Sequence, residues 1–123
     1  MSSTTAPASV SPLACDLTAI DATQRSAHRE LAEHLVSHGA QEICELPDGY
    51  AFRFTADEYA SVTTFVANER LCCPFFTFVV EVQADHGPLW LRITGREGVK
   101  AVFAEALAVQ PDAPTAPDVR QRR

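Results

Sequence analysis

Pro74 fixes where one helix of this 123-residue chain must stop. Proline has no amide proton to give, and its ring pushes the preceding residue out of helical dihedrals. The helix leading up to it therefore ends at about Cys72 or Cys73. Upstream, Thr55-Ala56-Asp57-Glu58 reads as a capping box. From there Tyr59, Val62, Phe65, Val66 and Glu69 recur at spacings of three and four, one face of a helix. Downstream, Phe76, Phe78, Val80 and Val82 alternate with polar or outward residues and read as the inner face of a strand. The junction is thus Glu69-Arg70-Leu71-Cys72-Cys73-Pro74-Phe75-Phe76. A carboxylate on an apolar helix face stands one turn before two adjacent thiols. Such a carboxylate needs a partner, because an isolated buried charge is costly.

The remaining elements can be laid around that junction. Leu13 to Ala19 alternates loosely and is a possible first strand, with Cys15 and Leu17 on one side. Asp21 to Gln24 resembles a second capping box, opening a helix to about His38 with Gly39 as its stop. Leu31, Ala32, Leu35 and Val36 form its apolar stripe; His28 falls within the stripe, while His34 and His38 lie at its margin. Residues 41–46 and 50–55 read as a hairpin turned by Leu46-Pro47-Asp48-Gly49, with Tyr50, Phe52 and Phe54 on one side. Asp85-His86-Gly87-Pro88 turns a second hairpin, whose return strand points Leu89, Leu91 and Ile93 inward and Trp90 to the other face. Thr94-Gly95-Arg96-Glu97 resembles a third capping box, before a helix with Val99, Val102, Phe103, Ala106 and Leu107 inward. Phe52-Arg53-Phe54-Thr55-x-x-Glu58 echoes Leu91-Arg92-Ile93-Thr94-x-x-Glu97, suggesting two strand-strand-helix units.

The predicted architecture is α+β: strand, helix, hairpin, helix, hairpin, helix. It makes a mostly antiparallel sheet of about five strands with helices packed on one face. Residues 13–107 form one domain on this reading, between disordered tails at 1–12 and 108–123 rich in Ser, Thr, Ala, Pro and Asp. The formal net charge of −6 gives a nucleic-acid role little electrostatic support. No stretch of about 18 apolar residues and no basic-then-apolar start occurs, so no membrane role and a cytoplasmic location are expected. In that compartment four cysteines point to metal, redox or core roles rather than a disulfide framework. No Gly-rich phosphate loop, dinucleotide fingerprint or Gly-x-Ser-x-Gly elbow is present, and no nucleotide cofactor is expected. Trp90 on the second face of the sheet leaves room for a homodimer surface.

Two chemistries fit the thiol pair. Adjacent thiolates are soft ligands suited to mercury, arsenic(III), cadmium, copper(I) or zinc, and a nearby carboxylate can take the proton that a binding thiol releases. On this reading Cys72 and Cys73 ligate the ion, with Glu69, His28 and Cys44 as candidate partners. Adjacent cysteines lack the Cys-x-x-Cys spacing of structural zinc, which leans toward a two- or three-coordinate soft ion. Alternatively Cys72 or Cys73 is a redox or nucleophilic thiol of an enzyme, with Glu69 as a further catalytic candidate, His28 or another remote base to compensate, and a small thiol-reactive ligand as partner. Against it stands the helix C-terminus, whose dipole disfavours a thiolate. The plain reading of His28 is a hydrogen-bonded core histidine, that of Cys44 a small core hydrophobe, and that of the pair itself core filler at a helix end.

The run Glu-Leu-Pro-Asp-Gly-Tyr-Ala-Phe-Arg-Phe, then Glu-Arg-Leu-Cys-Cys-Pro-Phe-Phe-Thr-Phe, then Leu-Trp-Leu-Arg-Ile-Thr-Gly-Arg-Glu-Gly-Val-Lys, resembles a family of small uncharacterised bacterial proteins. The resemblance covers roughly residues 13–107, with Cys-Cys-Pro-Phe its most distinctive part, and implies a bacterial cytosolic origin. It does not extend to the heavy-metal-associated domain with its Cys-x-x-Cys loop.

Overall fold

Alternating apolar strands and three helices build a two-layer α+β arrangement in the computed structural model, which describes residues 12–107, the last two by backbone alone. The tails expected at 1–12 and 108–123, residue 12 apart, and the inward side chains expected at Ala106 and Leu107 lie outside what is described. Helix α1 spans Arg25–His34, α2 Tyr59–Cys72 and α3 Val99–Leu107; strands β1 to β4 span Glu42–Leu46, Gly49–Phe54, Thr77–Val82 and Leu89–Thr94. The sheet order is β1-β2-β4-β3, antiparallel throughout. Exchanging the units β1-β2-α2 and β3-β4-α3 leaves that order unchanged, as the sequence echo suggests.

Register explains the two faces. Ile43, Phe52, Leu91 and Val80 lie across from one another in one row, and Glu42, Arg53, Trp90 and Glu81 in the next, so the rows point to opposite sides. The inner rows supply Tyr50, Phe52, Phe54, Leu89, Leu91 and Ile93 to a core shared with Ala32 and Leu35, Val62 and Phe65, and Val99 and Phe103. Val82, expected inward, is exposed at the end of β3. Gly49 has a steric reason: a Cβ there would lie 1.9 Å from the Ile93 carbonyl oxygen of the neighbouring strand.

Among the described residues the sheet has four strands rather than five. Residues 13–19 do not pair into it. Instead the Asp16 side chain accepts the Thr18 amide at 3.0 Å and caps a short 3-10 turn, Leu17–Ala19. A local side-chain bond to the backbone here displaces a strand ladder. The expected capping boxes also fail as such. The Thr55 hydroxyl donates to Asp57, the Glu58 carboxylate pairs with His34 at 3.1 Å, and Asp21 accepts from the Thr23 hydroxyl at 2.8 Å. Thr94 stays in β4, and α3 begins only at Val99, after Gly98 has taken a left-handed φ of 95°. The helix expected to run to His38 is α1 followed by a π-helical turn, Leu35–Gly39.

Candidate functional site

Helix α2 delivers its last turn to the site and Pro74 then turns the chain. The Cys73 amide makes the final helical bond, to Glu69 C=O at 2.8 Å. Cys73 itself leaves the helix at φ −130° and ψ 71°. Phe76 N–H donates back to Cys73 C=O at 3.3 Å, closing a turn with Pro74 in its second position. Glu69, Cys72 and Cys73 are thereby held within the last turn of α2 and its exit, all buried.

Glu69 is 3% exposed and finds its partner on α1. Its Oε1 lies 2.8 Å from His28 Nε2 and 3.8 Å from Cys72 Sγ, so one oxygen receives both the imidazole and the thiol. With the carboxylate ionised, Nε2 carries the proton and donates it. His28, 4% exposed, stacks on Phe65 with ring centroids 5.5 Å apart. Its Nδ1 is buried with no hydrogen-bond partner among the described residues. In the Nε2–H tautomer that atom is a bare lone pair, which costs less unpaired than an N–H would.

The fifth participant comes from the segment expected to be a strand. Cys15 and Cys73 form a disulfide, with Cα atoms 4.7 Å apart across 58 residues of sequence. This corrects the expectation that the cysteines favour other roles than disulfides. Asp16 N–H donates to Cys72 C=O at 2.8 Å, which brings the Cys15 arm alongside the end of α2. Cys72 remains a thiol, its Sγ 3.5 Å from that of Cys73. Two sets of potential ligand atoms result, His28 with Glu69 and Cys72, and Cys15 with Glu69 and Cys73, each set lying within 4.8 Å. Leu17, Arg29 and Ala32 complete the lining of a pocket of about 150 Å³.

Of the residues expected at the site, Cys72, Cys73, Glu69 and His28 meet, and Cys44 does not. Strand alternation puts Cys44 on the sheet face shared with Glu42, where its thiol donates to Glu42 Oε2 at 3.3 Å and Arg53 holds the other oxygen at 3.0 Å. It is buried outside the main core cluster. His34 and His38 are exposed, as expected. Cys15 escaped the sequence reading. The available signal was Asp16 two residues before Thr18, an Asx-turn pattern that argues for a turn rather than a strand.

Electrostatics decide what the Cys72 thiol can do alone. Burial pushes it up to about 12 from an ordinary 9.0, and the adjacent Glu69 charge and the bond to Glu69 push the same way. At neutral pH it is a protonated thiol, a poor nucleophile. Alkylation of Cys72 by iodoacetamide at pH 7 is expected to run about 1000-fold slower than that of an unperturbed cysteine, because so little of the thiol is ionised. Peptide mapping of the modified protein checks this; fast labelling at Cys72 would contradict the buried thiol. The sign also sets a stability trend. The native state holds this proton more tightly than the unfolded chain, so its contribution is full below about pH 9 and is lost as the pH climbs toward about 12.

Among the described residues no helix is long and apolar enough to cross a membrane. No family model matches this chain, and no curated protein or solved structure does.

Proposed function

We propose that the reduced protein binds a thiophilic metal or metalloid ion, of the mercury, arsenic(III) or copper(I) class, and serves in handling or detoxifying it. Cys72 and Cys73 are the primary ligands, Cys15 joins them once the disulfide is reduced, and Glu69 and His28 assist. The observation that carries this reading is the convergence of three sulfurs, a carboxylate and an imidazole, each potential ligand set within 4.8 Å, around one pocket. Soft ions select sulfur donors. A protonated thiol must lose its proton to bind, and the Cys72 thiol already points that proton at Glu69 Oε1, which in turn contacts His28. Cys44 is left out of the ligand set because it bonds Glu42.

Titration of the reduced protein with mercury(II), copper(I), zinc and arsenite under native mass spectrometry tests the reading. One ion retained per chain is the expected result, abolished in the Cys72→Ser/Cys73→Ser double variant. Retention of none of the four would overturn it.

The disulfide favours a second reading, a redox protein cycling between the Cys15–Cys73 bond and two thiols. Cys72→Ser separates the two. It removes an ion ligand but leaves that redox couple whole, so loss of ion binding supports the first reading and an unaltered dithiol-reductase activity the second.

A further inference from the structure

Resting on that ion-binding reading, we propose that the cargo is trivalent arsenic, bound as a neutral pyramidal adduct by all three sulfurs, Cys15, Cys72 and Cys73.

The bite of the vicinal pair suits such an adduct. Cys72 Sγ and Cys73 Sγ lie 3.5 Å apart; with bonds of about 2.3 Å, the zinc–thiolate length, that spacing subtends about 99° at a shared centre. A linear two-coordinate ion would need about 4.6 Å and a planar three-coordinate one about 4.0 Å on the same bond length. Arsenic(III) keeps a lone pair, which compresses its three bonds to a pyramid with angles below the tetrahedral value. The vicinal pair has that spacing while Cys73 is still held in its disulfide.

The third sulfur stays on its arm when the disulfide opens. The arm carrying Cys15 is moored by bonds that owe nothing to sulfur. Asp16 N–H donates to Cys72 C=O at 2.8 Å, Asp16 caps the Leu17–Ala19 turn, and Arg25 Nε donates to Ile20 C=O at 2.9 Å. The Ile20 side chain is fully buried. A dithiol or phosphine reductant supplies the two electrons that cleave Cys15–Cys73, each sulfur takes up one proton, and the freed Cys15 thiol stays on an arm hydrogen-bonded to the Cys72 carbonyl.

Charge balance favours the same ion. In As(OH)3 + 3 RSH → As(SR)3 + 3 H2O, three As–S bonds form, three As–O bonds break, and each thiol proton leaves on a departing hydroxide as water. Arsenic stays trivalent and the adduct is uncharged. A divalent ion on three thiolates would instead leave one net negative charge beside the buried Glu69 carboxylate, with the exposed Arg29 of the lining left to offset the two, and its three protons would have to exit the pocket. Uncompensated buried charge is costly. Leu17 and Ala32 in the lining suit the neutral product.

The test uses the full chain, reduced with a phosphine and freed of it, with arsenite and phenylarsine oxide as probes and mercury(II) as the comparison. Arsenite should bind one to one with a mass increment showing three waters lost, and arsenic-edge X-ray absorption should count three sulfurs. Cys15→Ser should weaken arsenite at least about 100-fold while retaining phenylarsine oxide, which needs two sulfurs; that retention also shows the variant is folded. Two sulfurs around arsenic, or arsenite binding undiminished in Cys15→Ser, would overturn the three-sulfur site. Mercury(II) bound with arsenite ignored would overturn the arsenic assignment and leave the ion-binding reading standing. Loss of all three probes would remove both.

Discussion

Phe103→Ala is expected to lower the free energy of unfolding by about 3 to 5 kcal/mol, the range for removing a buried aromatic ring from a close-packed core. Phe103 is 1% exposed and joins α3 to everything beneath it. Its ring meets Phe76 edge-on with centroids 5.4 Å apart, Phe52 at 5.7 Å in a T-shaped contact, and Tyr50 at 5.4 Å. Such aromatic pairs add to the area they bury. Phe76 lies three residues beyond Cys73, so the same ring supports the turn that positions Cys72 and Cys73. Urea unfolding followed by far-ultraviolet circular dichroism checks the magnitude. A loss below about 1 kcal/mol would mean that α3 is not packed as described, since collapse around so large a void is seldom complete.

That contact network shows where the sequence is readable. Tyr50, Phe52 and Phe54, Leu89, Leu91 and Ile93, and Val99 and Phe103 announce their burial by period, because residues on one strand or helix face share one environment. Pro74 announces the end of α2 for an equally local reason. The site is half legible on the same grounds. Glu69, Cys72 and Cys73 follow from the helix and its stop, and a carboxylate on an apolar face demands a partner, which His28 supplies from α1.

Long-range choices are what the local pattern leaves out. Nothing between Leu13 and Ala19 records that Cys15 returns across 58 residues to Cys73. Glu58 matches a capping box by spacing yet bonds His34 on another helix, so a tertiary partner wins over a local amide. Cys44 has a suitable sulfur but the wrong parity along β1, and a strand's two faces never exchange without shifting register.

Reduction of the Cys15–Cys73 bond should itself lower stability by about 4 kcal/mol, the chain-entropy value for a loop of this length. The native arm stays moored by the Asp16 amide, Ile20 and Arg25, so the cost lies chiefly in the freed unfolded chain. An ion that binds only the folded, reduced protein restores stability as RT ln(1 + [L]/Kd), about 4 kcal/mol when present at 1000 times its Kd. The disulfide and a bound ion would then be alternative staples for the same two elements, the Cys15 arm and the end of α2. Urea unfolding of the oxidised protein, the reduced protein, and the reduced protein with arsenite should give high, low and high midpoints in that order. Cys15→Ser should match the low value with or without a reductant, and arsenite should raise it far less than in the native sequence. A reduced protein whose midpoint no thiophilic ion raises would mean that the bond is a structural clasp and the pocket beside it carries no cargo.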